Sequence, residues 1–310
     1  MTAQDGVKAP GEAMAGRRQL TIFRQRLDAL AVCFAYRAAI AILVAVPLSV
    51  AAATVVGDHP RGDAVLWDRG GVWLVEALSV AGPTLRAWAP YGSLVMLAAA
   101  FGWLLPLGAL IASASPGTET MPWRGLLSRS ALCYPTLALM FGATLLLQTI
   151  TLGLFTVSAS LLAGLATSRT EVADGLRVAG PAVGVLLAWL IAVGQDVVRA
   201  SLVQRKQSLY QALGTGWDLL RGFARSVLLA AAWRTALTLF AFLLAAVVGA
   251  KLTGGAADQL PLVVVLHGLA GVIFVWSRGS WFHWLSPRLA ALSVGEGLDG
   301  GAEALPSPSE

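Results

Sequence analysis

Six apolar stretches, each long enough to cross a bilayer, constrain this 310-residue chain more than any other feature. They fall at about 29–56, 91–114, 131–166, 178–198, 226–250 and 261–284, and the short segments between them hold most of the charge. A spanning helix needs roughly 20 apolar residues, because the hydrocarbon core is about 30 Å thick and a helix rises about 1.5 Å per residue. Only 13% of the residues are charged and 57% are hydrophobic, so there is too little polar surface to cover a soluble domain of this length. The fold class read from this is all-α: a polytopic integral membrane protein with about six transmembrane helices plus interfacial amphipathic helices.

The chain divides into an N-terminal tail (1–16), a single helical transmembrane domain (17–290) and a C-terminal tail (291–310). Both tails lack apolar periodicity and are expected to be disordered. From Arg17, the residues Leu20, Phe23, Leu27 and Leu30 recur on one helical face with Arg17, Arg18, Arg24 and Asp28 elsewhere, the pattern of a basic helix in the headgroup plane. Residues 72–78 form a short apolar helix flanked by Trp67, Trp73 and Trp88, and since Trp favours the interface this segment is expected to lie on the surface. The run 131–166 is too long for one perpendicular span and too short for two, so it is read as one long tilted span. Between the fourth and fifth spans, Leu209, Ala212, Leu213, Gly216, Trp217 and Leu220 make an apolar stripe with Gln211, Asp218 and Arg221 away from it, which predicts a second interfacial helix.

Lys and Arg set the orientation. With six spans and both termini cytoplasmic, the inner segments carry fourteen of these residues and the outer ones six, as the positive-inside rule requires. The net charge of +5 then points to anionic headgroups at the cytoplasmic face, not to nucleic acid.

Motifs for chemistry are lacking. The sequence has no GxxxxGK[ST], HExxH or GxSxG pattern and no GxGxxG after a strand, and His59, His267 and His283 are far apart. Cys33 and Cys133 lie in apolar runs without CxxC or Cys/His spacing, which argues against a disulfide framework or a zinc site. No catalytic, cofactor-binding or metal site is expected, and the chain is not expected to be an enzyme.

The polar residues placed where lipid penalises them are the candidate site. Arg37 and Arg234 each lie about eight residues inside a span, and an Arg at the bilayer centre costs roughly 2.5–3.5 kcal/mol on insertion scales. Each either snorkels to the headgroups or joins Asp196, which ends the fourth span one turn before Arg199. The resulting candidate intramembrane charge cluster is Arg37, Asp196, Arg199 and Arg234. His267, about two turns inside the sixth span, is read as a helix-to-helix hydrogen-bonding group. Arg24 and Arg221 precede Arg37 and Arg234 by the same thirteen positions, a short echo that would fit a repeat of helical hairpins.

The stretch Asp196-Val-Val-Arg199-Ala-Ser-Leu-Val, followed by Ser208 to Arg221, resembles the membrane domain fused to some bacterial glycerophosphodiester phosphodiesterases and related stand-alone multi-span proteins. The resemblance covers about 40 residues. It implies a helical bundle with an amphipathic inner helix between spans four and five, in a bacterial inner membrane; it does not imply hydrolysis, because that family's catalytic barrel is a separate domain. The expected function is a non-enzymatic scaffold or accessory subunit that meets the lipid bilayer and a membrane or cytoplasmic protein partner, with a transporter or channel as the alternative.

Overall fold

The computed structural model describes residues 27–56, 72–118, 121–165, 170–253 and 260–299. These form six helices: α1 (Leu27–Val56), α2 (Val72–Ser113), α3 (Trp123–Leu165), α4 (Thr170–Arg205), α5 (Leu209–Thr253) and α6 (Leu260–Asp299). All six are long and apolar enough to cross a membrane, and no strand occurs among the described residues. The chain is thus an all-α, multi-pass membrane protein. The N-terminal tail, the basic segment from Arg17 to Arg26 and residues 300–310 lie outside the described residues.

Several helix boundaries differ from those read in the sequence. Residues 72–78 are continuous with the second span in one 42-residue helix, Pro83 and Pro90 included. A break in an apolar environment would free backbone groups that have no water to bind, so continuing the helix is the lower-energy course. The long third run is one helix, as read, but it begins at Trp123 and its 43 residues span about 65 Å at 1.5 Å per residue, well past a hydrocarbon slab. At the other end of the chain, α6 continues to Asp299, through the first nine residues expected as tail, because Leu289-Ala-Ala-Leu-Ser-Val prolongs its apolar, helix-forming character.

Consecutive helices pack side by side, and α1 also packs on α6, so the bundle closes into a ring. The even-numbered helices α2, α4 and α6 meet one another as well. Their C-terminal halves converge at one end, where Leu104, Ile111, Val197, Val203, Phe282 and Leu285 form the main buried core. The opposite end is held by seams of small residues. A Cβ on Gly180 of α4 would lie 2.1 Å from the Ala159 Cβ and 2.9 Å from the Phe155 carbonyl oxygen of α3, and one on Gly184 would lie 3.2 Å from Leu152 and Phe155. This GxxxG spacing brings the two backbones together, as small residues do between membrane helices. Ala241, Ala245 and Ala270 make the corresponding seam between α5 and α6.

The links between helices at the converging end are polar and specific. Arg129 of α3 donates to the Val203 and Gln204 carbonyls at 3.0 and 2.8 Å, satisfying oxygens that the end of α4 leaves without helical partners. Lys206 then adopts a left-handed conformation (φ 53°) and the chain turns into α5. Ser208 and Gln211 cap that helix reciprocally: the Ser208 N–H donates to Gln211 Oε1 at 3.1 Å, and the Gln211 N–H to Ser208 Oγ at 3.4 Å. Helix α5 breaks at Phe223 (φ −133°, ψ 25°), which separates residues 209–222 from the span that follows.

Candidate functional site

The last three turns of α4 run through the centre of the converging end, and Gln195 to Val203 are all buried. Position on this central helix, not an affinity for lipid, removes Asp196 and Arg199 from the surface; they are 5% and 6% exposed. Asp196 Oδ1 accepts from Arg199 Nη1 at 3.4 Å, one turn along the same helix. Asp196 Oδ2 accepts from Arg278 Nη1 of α6. The interhelical partner of the carboxylate is therefore Arg278, a residue the sequence reading counted only among the inner charges.

Arg234 is engaged elsewhere. Its Nε and Nη2 donate to the Ser280 hydroxyl at 3.3 and 3.1 Å, and its Nη1 donates to the Ala230 carbonyl at 2.9 Å. Among the described residues no carboxylate forms an ion pair with it. The guanidinium also sits 5.8 and 6.0 Å from the rings of Trp281 and Trp284, which stack on each other at 5.5 Å. Arg37 lies 3.7 Å from the Phe274 ring and 5.6 Å from Trp103, a cation–π arrangement that holds charge in apolar surroundings without an anion. Arg278 approaches the same Phe274 ring at 5.7 Å. Arg37, Asp196, Arg199, Arg234 and Arg278 thus occupy one neighbourhood, with four guanidiniums and one carboxylate.

His267 is exposed, and its Nδ1 is 2.9 Å from the Val263 carbonyl of its own helix, so its hydrogen bond is within α6 and not between helices. One helix-to-helix bond in the middle of the bundle comes instead from Gln148, whose Nε2 donates to the Ala188 carbonyl at 2.9 Å. Arg37 and Arg234, the corresponding positions of the thirteen-residue echo, differ in their surroundings. Beside Arg37, the Tyr36 hydroxyl donates to the Ala99 carbonyl at 2.8 Å, whereas Trp233, beside Arg234, is 62% exposed.

A cavity of about 240 Å³ opens between α4, α5 and α6, with Asp196, Arg234 and Arg278 in its wall. Trp189, Phe274 and Trp281 supply aromatic faces. The Trp189 indole N–H donates to Thr235 Oγ1 at 3.1 Å across the cavity wall. Among the described residues, no cluster of three or more His, Cys, Asp or Glu could hold a metal ion. What the arrangement offers chemically is hydrogen-bond donors and positive charge beside aromatic surface.

Some of these residues had no signal in the sequence. The Arg129 link to the end of α4 joins positions more than seventy apart, and the Asp196–Arg278 pair joins positions 82 apart. The Ser208-x-x-Gln211 capping box, by contrast, is a local pattern and was readable. No family model, curated protein or solved structure matches the chain.

Proposed function

We propose that this chain is a non-enzymatic integral protein of a bacterial inner membrane, with both termini cytoplasmic, acting as a scaffold or accessory subunit of a membrane complex. The observation that carries this reading is how its costly polar groups are used. Arg129 and Gln204 tie helix ends together, Arg37 lies on aromatic rings, and Asp196 joins two turns of α4 to α6. Groups committed to such bonds fix a shape, and a fixed shape is what a scaffold presents. The segment Leu209–Gly222 supports the same reading from outside. Ala212, Thr215 and Leu219 pack inward while Tyr210, Leu213 and Trp217 stay exposed, a surface suited to the anionic cytoplasmic leaflet or to a partner helix.

The cavity with its charged wall favours a second reading, a transporter or channel for a small solute. One pair of measurements separates the two. Extracted in mild detergent, a scaffold should migrate as part of a larger assembly, with cross-links concentrated on residues 210–225, and should leave reconstituted liposomes tight to solutes. A chain that runs alone and supports saturable solute flux would overturn the scaffold reading.

A further inference from the structure

We propose that the cavity between α4, α5 and α6 is a binding site for a phosphate oxyanion, carried by the headgroup of an anionic lipid. The argument begins with charge. Asp196 already has two cationic partners, Arg199 and Arg278, so the carboxylate is over-compensated. Arg234 adds a further positive charge in the same cavity wall; it bonds to neutral oxygens and lies near the Trp281 and Trp284 rings, and among the described residues no carboxylate pairs with it. Excess guanidinium charge within apolar surroundings is penalised unless it is paired, and a bound anion would pair it.

Donor geometry leads to the same ligand. A guanidinium has five N–H groups, and the bonds of Arg234 to Ser280 and Ala230 leave one of those on Nη1 free to donate. Thr235 accepts from the Trp189 indole, which leaves its own O–H to donate from the cavity wall. Arg278 faces the cavity as well, with more than a third of its side chain exposed. Three donors from two helices, two of them cationic, suit a tetrahedral oxyanion with several acceptor oxygens.

Shape selects the carrier. At about 240 Å³ the cavity is below the roughly 300–1,000 Å³ that takes a drug-sized molecule, so it fits a headgroup and not a whole amphiphile. Leu239, 64% exposed, lines the same cavity, so the opening borders the apolar outer face of α5, where an acyl chain would lie. The inference goes beyond the scaffold reading and holds whether or not the chain belongs to a larger complex.

The test is thermal unfolding of the purified full chain in a neutral detergent, titrated with dihexanoyl phosphatidylglycerol, with inorganic phosphate, and with dihexanoyl phosphatidylcholine. Phosphatidylglycerol should raise the unfolding temperature by several degrees with a saturable midpoint, and phosphatidylcholine should do little. Arg234→Gln should weaken that midpoint at least tenfold, while Arg177→Gln, exposed near the start of α4 and outside the cavity lining, should leave it unchanged. Should Arg234→Gln fail to fold, Thr235→Val removes a donor at nearly constant volume and should weaken the midpoint severalfold. Saturation by phosphatidylglycerol alone assigns the site to the lipid; saturation by inorganic phosphate at the same concentration keeps the oxyanion site and assigns it to a soluble ion. Equal effects of both lipids, no saturable effect from any titrant, or equal weakening by Arg177→Gln and Arg234→Gln would overturn the proposal.

Discussion

Asp196 links the two charge-bearing helices α4 and α6, and its replacement by Asn should expose that role. Removing one partner of a fully buried ion pair costs roughly 3–5 kcal/mol, but the Arg278 side chain is 37% exposed and can turn toward headgroups, so a loss of about 2 kcal/mol is expected. Chemical unfolding in detergent measures it. Combined with Arg278→Gln, the Asp196→Asn loss should be less than additive, whereas with Arg234→Gln the two effects should add. The reverse pattern would restore the pairing with Arg234 that depth along the spans suggested. Depth is the part of this site that the sequence could give: it placed Arg37, Asp196 and Arg234 near one level. It could not choose the partner, because Arg278 lies nearer the end of its span and reads as an ordinary boundary charge until α4 and α6 are seen to touch.

Single elements also carry tests. Gly180→Ala should separate α3 from α4, because the added Cβ would meet the Ala159 Cβ at 2.1 Å. A loss of about 1–3 kcal/mol is expected for such overpacking. Ala159→Gly in the same chain should recover part of that loss but not all, since the Phe155 carbonyl oxygen at 2.9 Å stays in place. Gly175→Ala, which meets nothing within 4 Å, should have no comparable effect. On α5, spin labels scanned from 207 to 220 should show lipid accessibility peaking at Tyr210, Leu213 and Trp217 and falling at Ala212, Thr215 and Leu219. A uniform profile would reject an interfacial helix. The helical period here was legible from the stripe of apolar residues, but its phase was shared between two uses. Ala212, Gly216 and Leu219 face the protein, and Leu213 and Trp217 face outward, a division that hydropathy cannot see because both environments are apolar.

At the scale of the whole molecule, the structure fixes which connections share a side, and the Lys/Arg distribution predicts which side that is. Arg129 at the start of α3 bonds to the end of α4, and Gln204 reaches the carbonyls of Ile111 in α2 and Phe282 in α6. The α2–α3 connection, the α4–α5 connection and the end of the sixth span therefore lie together. The single helix spanning Trp123–Leu165 keeps the count at six; dividing it would have sent Gln207 to the opposite face from Gly117. Reporter fusions at Gly117 and Gln207 should agree with each other and with Ser307, and fusions at Asp63, Thr170 and Gly255 should report the other side. Fourteen Lys and Arg residues against six then predict that the first group is cytoplasmic. If Gly117 and Gln207 agree but report the outer side, the charge argument fails while the bundle stands. If they disagree, the Arg129 and Gln204 bonds cannot form, and the converging end on which the candidate site rests is refuted with them.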